Sequence, residues 1–494
     1  MKAIAARHVS SAPTDLPAVF NATTTIRNLR RLIWLYLALL ILEGALRKWI
    51  VPQLSTPLLL VRDPVVVAIY VLALRARLFP HNIFIVSLVV LAILSWVTGI
   101  LVLLPVYSLH AIILVTGYGV RSNFLHLPLI FVIAAVFDLE DVKRVGWWTI
   151  VGTIGMAFLM AVQFAASPDS FINRVAGSGE GLQIQAGSGK VRPPAVFSFV
   201  SGTIYYLSAA AAFLLHAVLA KLPYKTWLLY ASAAGLILAM GVSGSRSTVL
   251  AVMLVVVSIA AILAIRPSLV GRFGRHLLLA VTVSWAISYL PIFQEGLRIL
   301  SDRFIEAAEV SETSVLGGLV NRTIFGFSEG LRSLPRIPLG GYGLGVGTSG
   351  GASFLTGEAG FLLAENEWSR ILLESGPILG LAFLLWRCAL VCKLGFFAVR
   401  QTSAGNTLPM FLFSAGVFVV LQGPFGQPTS LGFAVVLAGL CLAARPREAA
   451  AAEPDSLPND PPAPQRRVQR RSKYAERLHG SIRRSHPAHG SLDR

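Results

Sequence analysis

Stretches of about 20 apolar residues recur along most of this 494-residue chain, and each can cross a ~30 Å hydrocarbon layer as a helix. In that layer the backbone must satisfy its own polar groups, which leaves helices as the spanning element for runs of this length. Hydrophobic residues make up 55% of the sequence and charged residues 13%, against roughly 25% charge in a soluble domain. The reading is an integral membrane protein of the all-α class. Residues 1–32 are polar and basic, and the first apolar run begins near Ile33 at full spanning length. The first helix is therefore expected to stay as an anchor rather than be cleaved.

Spans are predicted near 33–50, 57–79, 83–106, 109–137 (broken around Gly117–Asn123), 145–166, 195–219, 226–242, 247–265, 277–294, 367–388, 406–421 and 429–444. Arg27, Arg30 and Arg31 precede the first. Basic residues then fall at every second connection: Arg75/Arg77, Lys143/Arg144, Lys221/Lys225, Arg266/Arg272/Arg275, Lys393/Arg400 and Arg445/Arg447. Because Lys and Arg are retained on the cytoplasmic side, the alternation predicts about twelve spans with both termini cytoplasmic. The transmembrane domain is then 33–444. Residues 167–194, the Ser243–Ser247 turn and the long segment 295–366 fall on the outer face. The tail 445–494 is rich in Pro and Ala, then in Arg, and is expected to be disordered, either as a solvated topogenic tail or as an anchor for anionic lipid. The net charge of +18 is divided among loops, so no basic domain for nucleic acid exists. Cys388, Cys392 and Cys441 lie in apolar helices without a nearby His; they read as packing residues, and no metal site is expected.

Basic residues on the outer side run against the positive-inside bias. Arg192 opens VRPPAVFSF at a membrane edge, and Arg246 sits in GVSGSRS between spans seven and eight. Arg47, Lys48 and Arg62 flank the first outer loop beside Asp63, while Glu43 is placed for an i,i+4 pair with Arg47. The long loop carries Arg298, Arg303, Arg322, Arg332 and Arg336, with Arg370 just inside the tenth span. Guanidinium forks match phosphate oxygens bidentately; the same side chains also snorkel to headgroups or pair with carboxylates. At Arg246 the helix that follows adds free N–H groups and a positive dipole end. The serines around it would equally serve as an N-cap.

The long loop reads first as amphipathic helix over 300–335. It then becomes PLGGYGLGVGTSGG, in which Gly341, Gly343 and Gly345 permit close backbone approach to a ligand or a flexible lid. Glu365, Asn366 and Glu367 follow, and Glu374 shares a helix face with Glu367. A carboxylate near a bilayer is costly unless paired or functional. Glu365 and Glu367 are the candidate bases for an acceptor hydroxyl, with positioning of a sugar, or ion pairing to Arg370 or another of these arginines, as the alternatives.

Taken in order, Arg192 with Phe197-Ser198-Phe199, Ser243-Gly-Ser-Arg246, Gly340-Gly-Tyr-Gly-Leu-Gly345, and Asn366 followed by Glu374-Ser-Gly376 resemble the O-antigen ligase and polymerase superfamily of bacterial membrane glycosyltransferases. The resemblance covers roughly residues 190–400. EGALRKW and LLVRDPVVVAIY also look like a sub-branch of that superfamily. What it implies is transfer of a glycan from an undecaprenyl-pyrophosphate carrier to a glycan or lipid acceptor, at the outer face of the bacterial inner membrane. The implied reaction is inverting and independent of metal or cofactor. Arg192 and Arg246 would hold the donor pyrophosphate, with Arg322 and Arg336 as further contacts, and Gly341, Gly343, Gly345, Asn366, Arg370 and Glu374 would line the substrate. Membrane lipids and other polysaccharide-assembly proteins are the implied surroundings. One departure stands out: ligases of the superfamily usually carry a His before the Asn, where this chain has Glu365, and 295–366 holds no His. A polymerase of repeat units fits at least as well. From other classes, a lipid-linked-glycan transporter and a non-catalytic export scaffold share the many-span layout.

Overall fold

In the computed structural model the described residues are 16–176, 183–187, 189–269, 282–311, 329–332, 334–357, 360 and 362–446. Among them the fold is helical, apart from one small antiparallel hairpin of β1 (Gln185–Gly187) and β2 (Lys190–Val191). The principal helices are α1 (Leu16–Ala45), α2 (Arg62–Arg75), α3 (Ile83–Leu103), α4 (Leu109–Val120), α5 (Leu129–Val136), α6 (Leu139–Ala165) and α7 (Val200–Leu219). They continue as α8 (Thr226–Val242), α9 (Arg246–Ile265), α10 (Pro291–Ser311), α11 (Ser349–Thr356), α12 (Glu367–Ser403), α13 (Leu408–Gln422) and α14 (Pro428–Ala443).

Among the described residues, seven stretches are long and apolar enough to cross a membrane: Pro52–Arg75, Ile83–Leu103, Leu109–Val136, Leu139–Ala165, Val200–Leu219, Arg246–Ile265 and Glu367–Ser403. Three shorter apolar helices, α8, α13 and α14, have 17, 15 and 16 residues. The surface of α3 shows what solvent these helices suit. Ile83, Val86, Val90, Ile93, Val97 and Leu101 are exposed at helical spacing, while Ser95 and Gly99 face inward. That reverses a water-facing helix and makes a continuous apolar stripe of the kind lipid covers.

The interior is built around α14, which is buried from Ser430 to Ala443 and packs on α13, α5 and α7. Its small residues set the spacing: a Cβ on Gly439 would lie 3.0 Å from the Ile133 side chain. A second small-residue crossing joins α8 to α10, where a Cβ on Gly296 would come within 2.5 Å of the Gly241 carbonyl. The amphipathic helix expected over 300–335 begins earlier, at Pro291, and buries Phe293, Ile299 and Leu300. Residues 312–328 lie outside the described residues, as do 1–15 and the basic tail beyond Pro446. The ninth predicted span, 277–294, is described only in part: 282–287 are helical and the chain turns before Pro291.

Two helices depart from the spans read in the sequence. α1 starts at Leu16, well inside the segment expected to precede the membrane. More consequentially, α12 is not one rod. Gly376 has φ 76° and ψ 172°, a conformation essentially restricted to glycine. Arg387 Nη1 then lies 3.0 Å from Glu367 Oε1, although 20 residues of straight helix would separate them by ~30 Å. Residues 367–375 therefore fold back beside 377–403, and a Cβ on Gly380 would be 3.0 Å from the Ile371 carbonyl. The predicted span 367–388 is corrected accordingly: its continuous part starts at Pro377. The Gly376-Pro377 pair, a strong helix breaker, is the cause.

Replacing Gly376 by Ala forces a Cβ against the Leu339 carbonyl and within 2.8 Å of the Gly341 nitrogen. The expected cost is about 1–3 kcal/mol of backbone strain, with steric overlap in addition. A lowered thermal midpoint for the purified protein in detergent, relative to a Gly155→Ala control in open space, is the result that checks it.

Candidate anion site and buried charge networks

The arginines at 192 and 246 are brought together by the β-hairpin. Arg192 follows β2 directly, and its N–H donates to the Ile184 carbonyl at 2.8 Å. The Ser243–Ser247 turn presses on the hairpin from the other side. Gly244 has φ 54°, and a Cβ there would lie 2.6 Å from Ala186 Cβ and 3.7 Å from Arg192 Cγ. Arg246 opens α9 and donates from Nη1 to the Arg303 carbonyl at 3.0 Å; Arg303 in turn donates from Nη1 to the Ala186 carbonyl at 3.1 Å. Three guanidinium-bearing residues from three segments thus surround one hairpin. Ser245, in the N-cap position of α9, makes no side-chain capping bond. Ser243 instead donates to the Met240 carbonyl and accepts from the Ser245 N–H. The serines therefore shape the turn, and the first-turn N–H groups of α9 are not closed by a serine cap. Lys190 pairs with Glu295 at 3.5 Å and ties the hairpin to α10.

The other predicted arginines are placed differently. Arg298 and Arg336 are exposed, the latter in the short turn Leu334–Arg336. Arg322 lies outside the described residues.

The Gly-rich loop is a buried strap. Tyr342 and Gly343 donate their N–H groups to the carbonyls of Leu373 and Glu374, at 2.7 and 3.1 Å. This seats Gly341 on the Gly376 break. Gly345 (φ 91°) touches backbone of α4: a Cβ on it would meet the Val115 carbonyl and lie 3.0 Å from the Gly119 nitrogen. The close approach allowed by Gly341, Gly343 and Gly345 is made to the protein's own helices, and Leu344 beneath them is fully buried.

Glu367, Arg370 and Glu374 form a closed network. Asn366 caps the helix by accepting from the Trp368 N–H at 3.0 Å. Arg370 spends Nε and Nη2 on Glu367 (2.9 and 3.0 Å), Nη1 on Glu374 (2.8 Å), and Nη2 also on the Asn123 side chain (2.9 Å). Glu367 Oε1 further accepts from Arg387 Nη1 at 3.0 Å and the Phe425 N–H at 3.2 Å. Glu374 Oε1 accepts the Gly347 N–H at 2.9 Å. Arg387, fully buried, also donates to the carbonyls of Val420 and Gly423 and lies 3.8 Å above the Phe425 ring. Both oxygens of Glu367 are thus committed to cations, the arrangement of a structural carboxylate. Glu365, two residues earlier, is exposed.

A second network starts from EGALRKW and LLVRDP. Glu43 does pair with Arg47, at 3.6 Å, but its shorter contact is to Arg62 at 3.1 Å. Arg62 also donates to the Pro428 carbonyl at 2.6 Å and reaches the Tyr36 hydroxyl at 3.5 Å. Tyr36 meets His126 at 3.0 Å, His126 meets Asp63 at 2.9 Å, and Arg121 holds Asp63 at 2.8 and 3.2 Å. Arg47 reaches Ser198 at 3.0 Å, and Lys48 donates to the Ala195 carbonyl at 2.5 Å. Sequence reading passed over Tyr36, Arg121, Asn123, His126 and Arg387. Each stands inside an apolar run, where an ionisable or amide side chain is itself a signal.

No protein-family model matches this sequence, and no curated protein matches it significantly.

Glu367→Gln leaves two buried guanidiniums sharing too few carboxylates, for an expected loss of about 3–5 kcal/mol. Glu365→Gln, at the surface, is expected to stay within about 0.5 kcal/mol. Unfolding of the two variants in detergent, followed by circular dichroism, checks the contrast; equal stability would place Glu367 outside the fold's supports.

Proposed function

We propose that this chain is a bacterial inner-membrane glycosyltransferase that moves a glycan from an undecaprenyl-pyrophosphate carrier to an acceptor at the outer face. A polymerase of polysaccharide repeat units and a ligase share this reaction. The observation that carries the reading is the convergence of Arg192, Arg246 and Arg303 around the β-hairpin, at the start of α9. Guanidiniums beside a helix N-terminus suit a diphosphate. The finer topology belongs to the same reading. With α1, the three shorter helices and the segment around 282–287 taken as spans, the count reaches twelve, and the termini share the cytoplasmic side.

In this mechanism the acceptor hydroxyl attacks the anomeric carbon from the face opposite the diphosphate. The carbon–oxygen bond to the diphosphate breaks as the new glycosidic bond forms, which inverts the centre. Arg192 and Arg246 take up the charge that grows on the departing diphosphate. The hydroxyl proton passes to a carboxylate; exposed Glu365 suits this better than Glu367, whose oxygens are engaged. The reading gives the buried Glu367, Arg370 and Glu374 the task of fixing the Gly-rich strap under the acceptor. One observation favours a transporter instead: the stretch Leu109–Val136 is interrupted by a π-helical turn, Arg121–Leu125, that buries Arg121 and Asn123, and broken polar helices are a transporter feature.

Purified protein in liposomes supplied with undecaprenyl-pyrophosphate oligosaccharide distinguishes these. Transfer should release the carrier diphosphate, and Arg246→Ala should slow it by about 10²–10³, the loss typical of a deleted oxyanion contact. Movement of the donor across the bilayer without release of carrier would replace the enzyme by a transporter. Neither activity, with polymer yield in cells unchanged by Arg192→Ala and Arg246→Ala, would leave a scaffold.

A further inference from the structure

The network begun by EGALRKW and LLVRDP has more positive charge than it can neutralise within itself. Its contacts run unbroken from Arg47 through Glu43, Arg62, Tyr36, His126 and Asp63 to Arg121. Three guanidiniums therefore share two carboxylates, in side chains that are almost wholly buried: Arg62 is 1% exposed, Arg121 7% and Glu43 3%. The neighbouring Glu367–Arg370–Arg387–Glu374 network, by contrast, balances two against two. An excess buried cation is costly without a counter-charge.

The unbalanced end is Arg121. Its Nε and Nη2 are occupied by Asp63 and the Leu59 carbonyl, and its guanidinium packs 5.3 Å from the Tyr118 ring centroid. Nη1 is buried and has no hydrogen-bond partner, and neither has the hydroxyl of Ser122, the next residue. A buried donor on a charged fork left unbonded costs more than most other unmet groups. The π-helical turn that carries both residues is a local feature common at functional sites. Asp63, which holds the other edge of the Arg121 fork, lines a groove of about 800 Å³ that runs along α2 past Pro64, Val67, Val71 and Leu72.

We propose that Arg121 binds a phosphate group here, at a position separate from Arg192 and Arg246. The phosphate is that of a lipid headgroup whose chain lies along α2, or a free phosphate. The proposal does not depend on glycosyl transfer.

The test uses full-length protein in dodecyl maltoside carrying Arg192→Ala and Arg246→Ala, so that anions at the hairpin do not contribute. Inorganic phosphate, inorganic pyrophosphate and phosphatidylglycerol are titrated separately against the thermal unfolding midpoint, with bound lipid read by native mass spectrometry. A saturable rise is expected with at least one of them. A rise with the inorganic ions identifies a free-phosphate site, and a rise with phosphatidylglycerol alone a headgroup site. Arg121→Lys keeps the charge against Asp63 but removes the unbonded arm, and should weaken binding roughly tenfold or more. Asp63→Asn keeps the shape and an acceptor oxygen for Arg121 while removing a competing negative charge, and should tighten binding. A purely structural ion pair would not produce that gain. If Arg121→Lys fails to fold, Asp63→Asn decides alone. No response to any of the three probes, or no tightening in Asp63→Asn, overturns the proposal.

Discussion

Burying guanidinium groups among apolar helices is the constraint on which the rest of this structure depends. A guanidinium cannot shed its charge, so each buried arginine dictates the positions of carboxylates and carbonyls around it. Arg387 shows how far that reaches. It sits in the middle of α12, takes one carboxylate oxygen from Glu367 and two carbonyls from the end of α13, and stacks on Phe425. Glu367 can reach it only because the chain folds back at Gly376. One side chain thus ties the helical hairpin to the end of α13 and the turn 423–427. Arg62 holds the first residue of α14, immediately after that turn, through the Pro428 carbonyl. The two charge networks are therefore joined through a single loop, and a shift in either would be felt by the other.

The Gly-rich strap follows from this. Glu374 receives the Gly347 N–H, and the carbonyls freed by the Gly376 break receive Tyr342 and Gly343. The glycines let two backbones touch where side chains would hold them apart. A composition that would also suit a mobile lid is used here to rivet a loop to the helix hairpin beneath it.

Much of the helical framework was legible in the sequence, because hydrocarbon thickness fixes the length of apolar runs. The break near residues 117–123 could be read from its glycines and polar residues, and the structure places the π-helical turn at its end. The pairing of Glu43 with Arg47 was visible as an i,i+4 spacing. Its stronger contact with Arg62 was not, since that partner lies 19 residues away across a helix–helix interface that no local pattern encodes. Arg192 and Arg246 could be singled out by their position at helix ends, whereas the hairpin that unites them is two very short strands with no periodic signal. Glu367 illustrates the converse. Its spacing to Arg370 was plain, but the second arginine that commits its remaining oxygen comes from the far side of a Gly-Pro break, which hydropathy alone reads as continuous helix.

The contrast between the two kinds of arginine bears on function. Arg370 and Arg387 are buried and saturated by carboxylates and carbonyls within a balanced network, so removing them would damage the fold before it damaged any chemistry. Arg192 and Arg246 are half-buried beside the hairpin, where the Arg303 carbonyl positions the Arg246 guanidinium. The interior arginines hold the platform still. Arg121 is fixed by Asp63 on one edge of its fork, unbonded on the other, and placed at a π-helical turn where the helix ladder is interrupted.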